Sequence, residues 1–204
     1  TIIAIVLALP LGVIAAIKQN TLFDGVSMFI SLLGISIPIF WFGLLLILLF
    51  SVTLGWFPVS GADQGLKSLV LPSLALGFQH MAAIARTTRS SMLEQIRQDY
   101  IRTVRAKGLP EGEVITKHAL RNALIPTTTV IGLQMGGMLG GSVLTESVFA
   151  WPGIGRYMVQ SIQGRDIPSV MGCIIIFAIS FALINLLVDL IYGFIDPRIK
   201  AQYK

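Results

Sequence analysis

Charge is what this chain of 204 residues has least of. Asp, Glu, Lys and Arg make up 12% of it, against about 25% in soluble domains. A surface that poor in charge excludes an ordinary cytosolic enzyme and a disordered tail. One cysteine, Cys173, allows no internal disulfide, which excludes a secreted disulfide scaffold. The two histidines, His80 and His118, sit on different segments, and no Cys/His cluster has metal-ligand spacing. No G-x-x-x-x-G-K-[ST] motif occurs, so no ATP site is expected in this chain. The opening Thr1 runs directly into apolar sequence without a basic n-region or cleavage site, unlike a signal peptide. That start reads as the interior of a longer chain.

What the chain has is apolar length. Hydrophobic residues reach 54% and the mean hydropathy is +0.81. A span needs about 20 apolar residues, and five stretches qualify: 1–17, 26–52, 68–85, 122–145 and 167–188. The third is the weakest, diluted by Pro72, Ser73, Gln79 and His80. Of the 15 Lys and Arg residues, all but Lys67, Arg156 and Arg165 fall on one side when the loops alternate. That side is expected to be cytoplasmic. Thr1 then lies outside, so at least one further span is expected upstream. Trp56, Phe57, Phe149 and Trp151 fall at the outer ends, where interfacial aromatics belong. The fold expected is an all-α, polytopic transmembrane bundle over 1–204, with a cytoplasmic loop at 86–121 and an outer loop at 146–166. The net charge of +5 is read as cytoplasmic loops, not nucleic-acid binding.

In the cytoplasmic loop, Leu93, Ile96, Tyr100 and Val104 share one helical face. Gly108 suits the position just past a helix end, and Pro110 the first turn of the next helix. Glu111 and Glu113 suit that helix's N-terminus. The pattern is helix, Gly turn, helix. A basic helix lying on anionic lipid is one reading. The interleaved Glu94, Asp99, Glu111 and Glu113 favour a protein partner.

The stretch DYIRTVRAKGLPEGEVITKHALRNALIP (residues 99–126) resembles the cytoplasmic loop of binding-protein-dependent ABC importer permeases. The general pattern there is Glu-Ala-Ala, three residues, Gly, nine residues, then Ile-x-Leu-Pro. Gly108 matches it. Arg102, Thr103 and Val104 depart from it, as do His118, Ala119, Leu120 and Arg121. Those departures resemble the dipeptide, oligopeptide and nickel branch, as do ESVFAWPGIGR at 146–156, RDIPSV at 165–170 and NLLVDLIYGFIDPR at 185–198. The resemblance implies a type I ABC importer permease, multi-pass in the inner membrane of a prokaryote. It would pair with a second permease, two ATPase subunits and an extracytoplasmic solute-binding protein. ATP and magnesium would sit in the ATPase partners, and this chain would bind no cofactor. The implied docking element is Asp99, Tyr100, Arg102, Ala106, Gly108, Leu109 and Glu111. The implied solute is a di- or oligopeptide, with nickel or another small solute as the alternative.

Within the spans, Gly132, Gly136 and Gly140 recur every four residues, and Gly137 with Gly141 repeats this on the next stripe. Such ladders let helix backbones approach closely. They fit either packing within the chain or a helix lining the path, with Gln134 and Met135 facing solute. Pro38 is placed to kink the second span. His80 and Asp189 are the intramembrane polar residues; His80 is read as packed or pore-facing, and Asp189, near the inner end of the last span, as a hydrogen-bonded anchor or a proton relay. In the outer loop, Glu146, Trp151, Pro152, Gly153, Gly155 and Arg156 form a turn that is either an interfacial anchor or an element near the gate. The further alternative, an ion-coupled secondary transporter, would need intramembrane charges, of which only Asp189 qualifies, at a span end; an intramembrane serine protease would need a reactive Ser meeting a His, and His80 has no obvious Ser partner motif.

Overall fold

In the computed structural model, residues 1–195 are described, with side chains through Leu190 except Asp189. The elements are all helical among the described residues. They are α1 (Ile2–Ile17), α2 (Leu22–Ser36), α3 (Ile39–Leu46), α4 (Leu66–Ile96), α5 (Asp99–Ala106), α6 (Glu111–Glu113), α7 (Leu120–Val148), α8 (Ile154–Gln163) and α9 (Ile167–Ile195). Wider π-helical turns extend α3 through Ile47–Thr53 and join α6 to α7 through Val114–Ala119.

By length and composition, α4 and α9 each suffice to cross a bilayer. The stretch 26–52, expected as one kinked span, is two helices bent by 108°. Pro38 pushes the residue before it out of the helical region, and Ile37 and Pro38 are both extended. The neighbours still advance in one direction. Asp24 pairs with Arg89, Gly34 abuts Phe78 and Ala82, and Leu46 and Ile47 join Leu71 and Ala75. The pair therefore packs along α4 from Arg89 to Leu71. Helix α1 has only 16 residues. Helix α7 is long but less apolar, and it packs between α4, α3, α8 and α9.

The stretch that read as the weakest span became the centre. Helix α4 runs from Leu66 to Ile96, ten residues beyond the expected boundary at Arg86, and packs on α1, α2, α3 and α7. Its dilution by small and polar residues is what lets four helices approach it. On α1 a second small-residue stripe, Ala4, Ala8, Gly12 and Ala16, is wholly buried. It has the same four-residue spacing as the ladder in α7. A Cβ at Gly12 would lie 2.7 Å from the Ala85 carbonyl oxygen and 2.6 Å from Thr88 Cβ.

Two apolar clusters mark the ends. Leu46, Ile47, Leu71, Ala75 and Phe149 close the end where α4 begins. Phe149 is thus buried in this cluster instead of sitting at the interface, whereas Trp56 is exposed. Ala16, Met92, Ile101, Val114, Ile115, Ala119 and Ala123 close the opposite end, beside α5.

Candidate functional site

The element that follows α4 is built in three steps. Helix α4 stops at Ile96, and Gln98 is extended, so α5 starts anew at Asp99. The single helix expected through Lys107 is therefore interrupted, and the buried face shifts. Ile101, outside the expected face, is fully buried in the cluster with Met92 and Val114; Val104 packs on its edge and Tyr100 is exposed. The Tyr100 hydroxyl accepts from Asn122 Nδ2 at 2.9 Å and donates to Gln95 Oε1 at 2.9 Å, tying α5 to α4 and α7.

The turn after α5 is the one the sequence pointed to. Gly108 has φ +79°, and its N–H donates to the Arg105 carbonyl at 3.0 Å. Across the turn, Arg105 donates twice to the Glu111 carboxylate, at 3.0 and 2.6 Å. That contact holds the Glu111 carboxyl below its usual range. Acidification through the carboxylate range would therefore release the clasp, although its exposure limits its contribution to stability. Pro110 precedes α6 as its N-terminal flank, and α6 runs on into α7 instead of standing as a separate helix.

With Ile101 turned inward, Asp99, Arg102, Ala106, Gly108 and Glu111 lie exposed and Leu109 is half-buried. Asp99 and Arg102 form only a loose pair at 3.7 Å, both side chains almost fully in solvent. The result is a short, rigidly seated knob with a free polar face.

An ion pair between α2 and α4 escaped the sequence reading. Arg89 on α4 donates to both carboxylate oxygens of Asp24 at 2.6 Å. Asp24 Oδ2 also accepts from the Asn20 N–H at 3.0 Å. The Asp24 side chain is 7% exposed. Its place in the first turn of α2 suits a carboxylate, but nothing local announced a partner 65 residues away.

The glycine ladder divides. A Cβ at Gly136 would lie 2.7 Å from the Phe181 ring on α9, and one at Gly141 would lie 3.2 Å from Leu76 on α4. Gly132 is buried, and Gly140 faces open space. Part of the ladder packs within the chain and part lines a groove. Replacement by leucine should rank accordingly. Gly12→Leu meets backbone and should cost most, Gly136→Leu meets a half-exposed ring, and Gly25→Leu meets nothing within 4 Å. Overpacking typically costs about 1–3 kcal/mol. Transport per inserted protein should fall in the order Gly25→Leu, Gly136→Leu, Gly12→Leu. Equal uptake by the last two would show that α1 and α4 do not meet closely.

The turn between α7 and α8 is a packed corner. The Glu146 carboxylate, on the last turn of α7, accepts the Arg156 N–H at 3.1 Å and so covers the start of α8. A side chain at Gly153 would run into that carboxylate, and one at Gly155 would lie 2.6 Å from Val143 Cα. The Arg156 guanidinium donates to the Ala150 carbonyl, and the Trp151 N–H to the Glu146 carbonyl at 2.8 Å. Pro152 is exposed. Helix α8 itself was not anticipated. His118 contributes its carbonyl as an acceptor for Asn122. The Asp189 side chain and the basic tail of Arg198, Lys200 and Lys204 lie outside the described residues.

Residues 8–201 match the family described as "Binding-protein-dependent transport system inner membrane component". The chain belongs to that family. It is 49% identical to the dipeptide transport system permease protein DppB of Alkalihalophilus pseudofirmus, over 98% of this chain and 68% of that one. It is 48% identical to the di/tripeptide transport system permease protein DppB of Pseudomonas aeruginosa, over 94% and 65%. The glutathione transport system permease protein GsiC of Escherichia coli K12 is also 48% identical, over 97% and 64%. The chain thus spans about two thirds of these relatives. Its fold matches a chain of the inward-facing MetNI methionine ABC transporter with a TM-score of 0.79 at 21% identity, over 96% of this chain and 88% of that one. The protein is a membrane-embedded, all-helical transport permease, and the strong resemblance in the loop at 99–126 is one to its own family.

Proposed function

We propose that the chain is one permease subunit of an ATP-driven importer of di- and tripeptides. A second permease, two ATPase subunits and an extracytoplasmic binding protein complete the assembly. The observation that carries this reading is the α5 knob, anchored through Ile101 and clasped by Arg105 and Glu111, with its polar face free. Such a knob transmits motion because it cannot tilt without moving α4 and α7. ATP binding closes the ATPase pair, the knobs move with it, and the spans rearrange to open the path alternately to each side. ATP and magnesium are held by the partners. The basic loops face the cytoplasm, with five spans in this chain. The names of the relatives support the solute class, and glutathione, itself a tripeptide, falls within it.

The test is reconstitution of the complete importer in proteoliposomes. ATP-dependent uptake of a labelled dipeptide, competed by unlabelled di- and tripeptides and not by nickel, is expected. Uptake that persists without ATP, or competition by nickel alone, would overturn the reading.

A further inference from the structure

Midway along α4, the imidazole of His80 is buried, 8% exposed, and its Nε2 has no hydrogen-bond partner among the described residues. Its edge points to the α7 glycines. Cε1 lies 3.6 Å from where a Cβ would stand on Gly137, and Nε2 lies 4.0 Å from that point on Gly141. Beside it opens a groove of about 590 Å³ between α4, α7 and the break joining α2 to α3. Gln79 from α4 and Gln134 from α7 line the same groove, with Ala83, Gly137 and Gly140. Among the described residues, no Asp, Glu, Lys or Arg lines it.

Two independent features say that this groove faces water and not lipid. The first is the polar lining. The Gln79 and Gln134 amides and the His80 ring all line it, and an amide turned toward hydrocarbon keeps donors or acceptors without partners, which membranes penalise heavily. The second is the break itself. Ile35 and Ile39 flank Ile37 and Pro38 and line the groove. Extended backbone at membrane depth is tolerated only where protein buries it or water reaches it, and the end of α2 leaves carbonyls without helical partners there.

We propose that this groove is a passage site in which Gln79, His80 and Gln134 hydrogen-bond the backbone amides of a short peptide in transit. The peptide class rests on the function proposed above. Amide and imidazole groups offer both donors and acceptors, which suits a peptide bond whatever the side chains beside it. The absence of charged lining fits transit as well. A fixed charge would hold one terminus of a zwitterion, whereas neutral partners let it enter and leave. Gly137 and Gly140 leave room for a ligand backbone to come close.

The test has two arms, both on the complete importer with Cys173 replaced by serine. In the first, Ala83→Cys in the groove is compared with Ile179→Cys on the exposed face of α9, using a charged, membrane-impermeant methanethiosulfonate. Ala83→Cys should react at least about tenfold faster, since a thiol needs water to ionise and react. Equal, slow reaction would overturn the water-facing groove, whatever the solute. In the second, the double variant His80→Leu with Gln134→Leu is compared with His80→Gln for uptake of labelled alanyl-alanine. Losing two hydrogen bonds should lower uptake about tenfold, with ATP hydrolysis stimulated by the binding protein retained and His80→Gln near wild type. Wild-type uptake by the double variant would overturn the site. A wild-type importer that carries no peptide would overturn the solute class, and with it the peptide assignment of the groove, leaving the labelling result to stand separately.

Discussion

Gly108→Val should uncouple the importer while leaving the permease inserted. Space is not the reason: nothing lies within 4 Å of a Cβ at this position. The reason is φ +79°, where an L-residue clashes with its own backbone at a cost of about 1–2 kcal/mol, more when β-branched. The strain falls on a turn whose geometry is set by two contacts, the Gly108 N–H to Arg105 and the Arg105 clasp on Glu111. Opening the turn swings Arg105 away and releases the end of α5, so the knob no longer presents one shape. A penalty of that size shifts the competent fraction about 5- to 30-fold. The expected result is normal membrane levels, weakened retention of the ATPase subunits on co-purification, and uptake reduced by that factor. Gly108→Asn should be intermediate, because asparagine visits the left-handed region more readily. Gly112→Val is the control; it is equally unobstructed but lacks the positive φ. Wild-type retention and uptake by Gly108→Val would show that this turn does not carry coupling.

That turn was legible because its information is local. Glycine after a helical run, then proline, then two glutamates, specifies a stop and a restart within a few residues. The break at Arg97 and Gln98 was not legible, since neither residue is a helix breaker and the interruption follows from seating Ile101 in a pocket made by α1, α4 and the start of α7. The face predicted from period alone therefore carried Tyr100 inward when the structure turns it out. Pro38 announced a bend, but its size reflects two consecutive extended residues and the packing of α3 on α4 and α7, with Phe42 stacked on Phe78 at 4.6 Å. The stripe of Ala4, Ala8, Gly12 and Ala16 was readable by the rule that found the glycine ladder; alanine simply draws less attention. The corner of Glu146, Gly153, Gly155 and Arg156 lies between the two cases. Its residues stand out in the sequence, but their purpose, a carboxylate from one helix covering the start of the next, needs the α7–α8 reversal to be seen.

Tertiary pairing of remote charges is the least legible of all, and Asp24 with Arg89 carries the largest stability consequence. The pair is bidentate at 2.6 Å, with Asp24 almost wholly buried and Arg89 about three-quarters so. It is also where α1, α2 and α4 meet, because Asp24 accepts from the backbone of Asn20, which holds φ +61° in the connection between α1 and α2. Asp24→Asn keeps the shape and can still accept from Asn20, but leaves the Arg89 guanidinium without its counter-ion. Breaking a buried pair by removing one partner typically costs about 3–5 kcal/mol; the partial exposure of Arg89 places this pair at the low end. The Asp24→Asn permease should therefore melt earlier in detergent and accumulate less in the membrane. Arg89→Gln should do the same by leaving the carboxylate alone. The double variant should be more stable than the sum of the two losses predicts, because two neutral amides can bond each other and neither buries a lone charge. A double-mutant cycle on thermal unfolding of the purified complex measures this, with a coupling of about 2 kcal/mol or more expected from a close charged pair. Strict additivity would mean that the two side chains do not meet in the assembled importer, and that α2 is held against α4 by apolar packing alone.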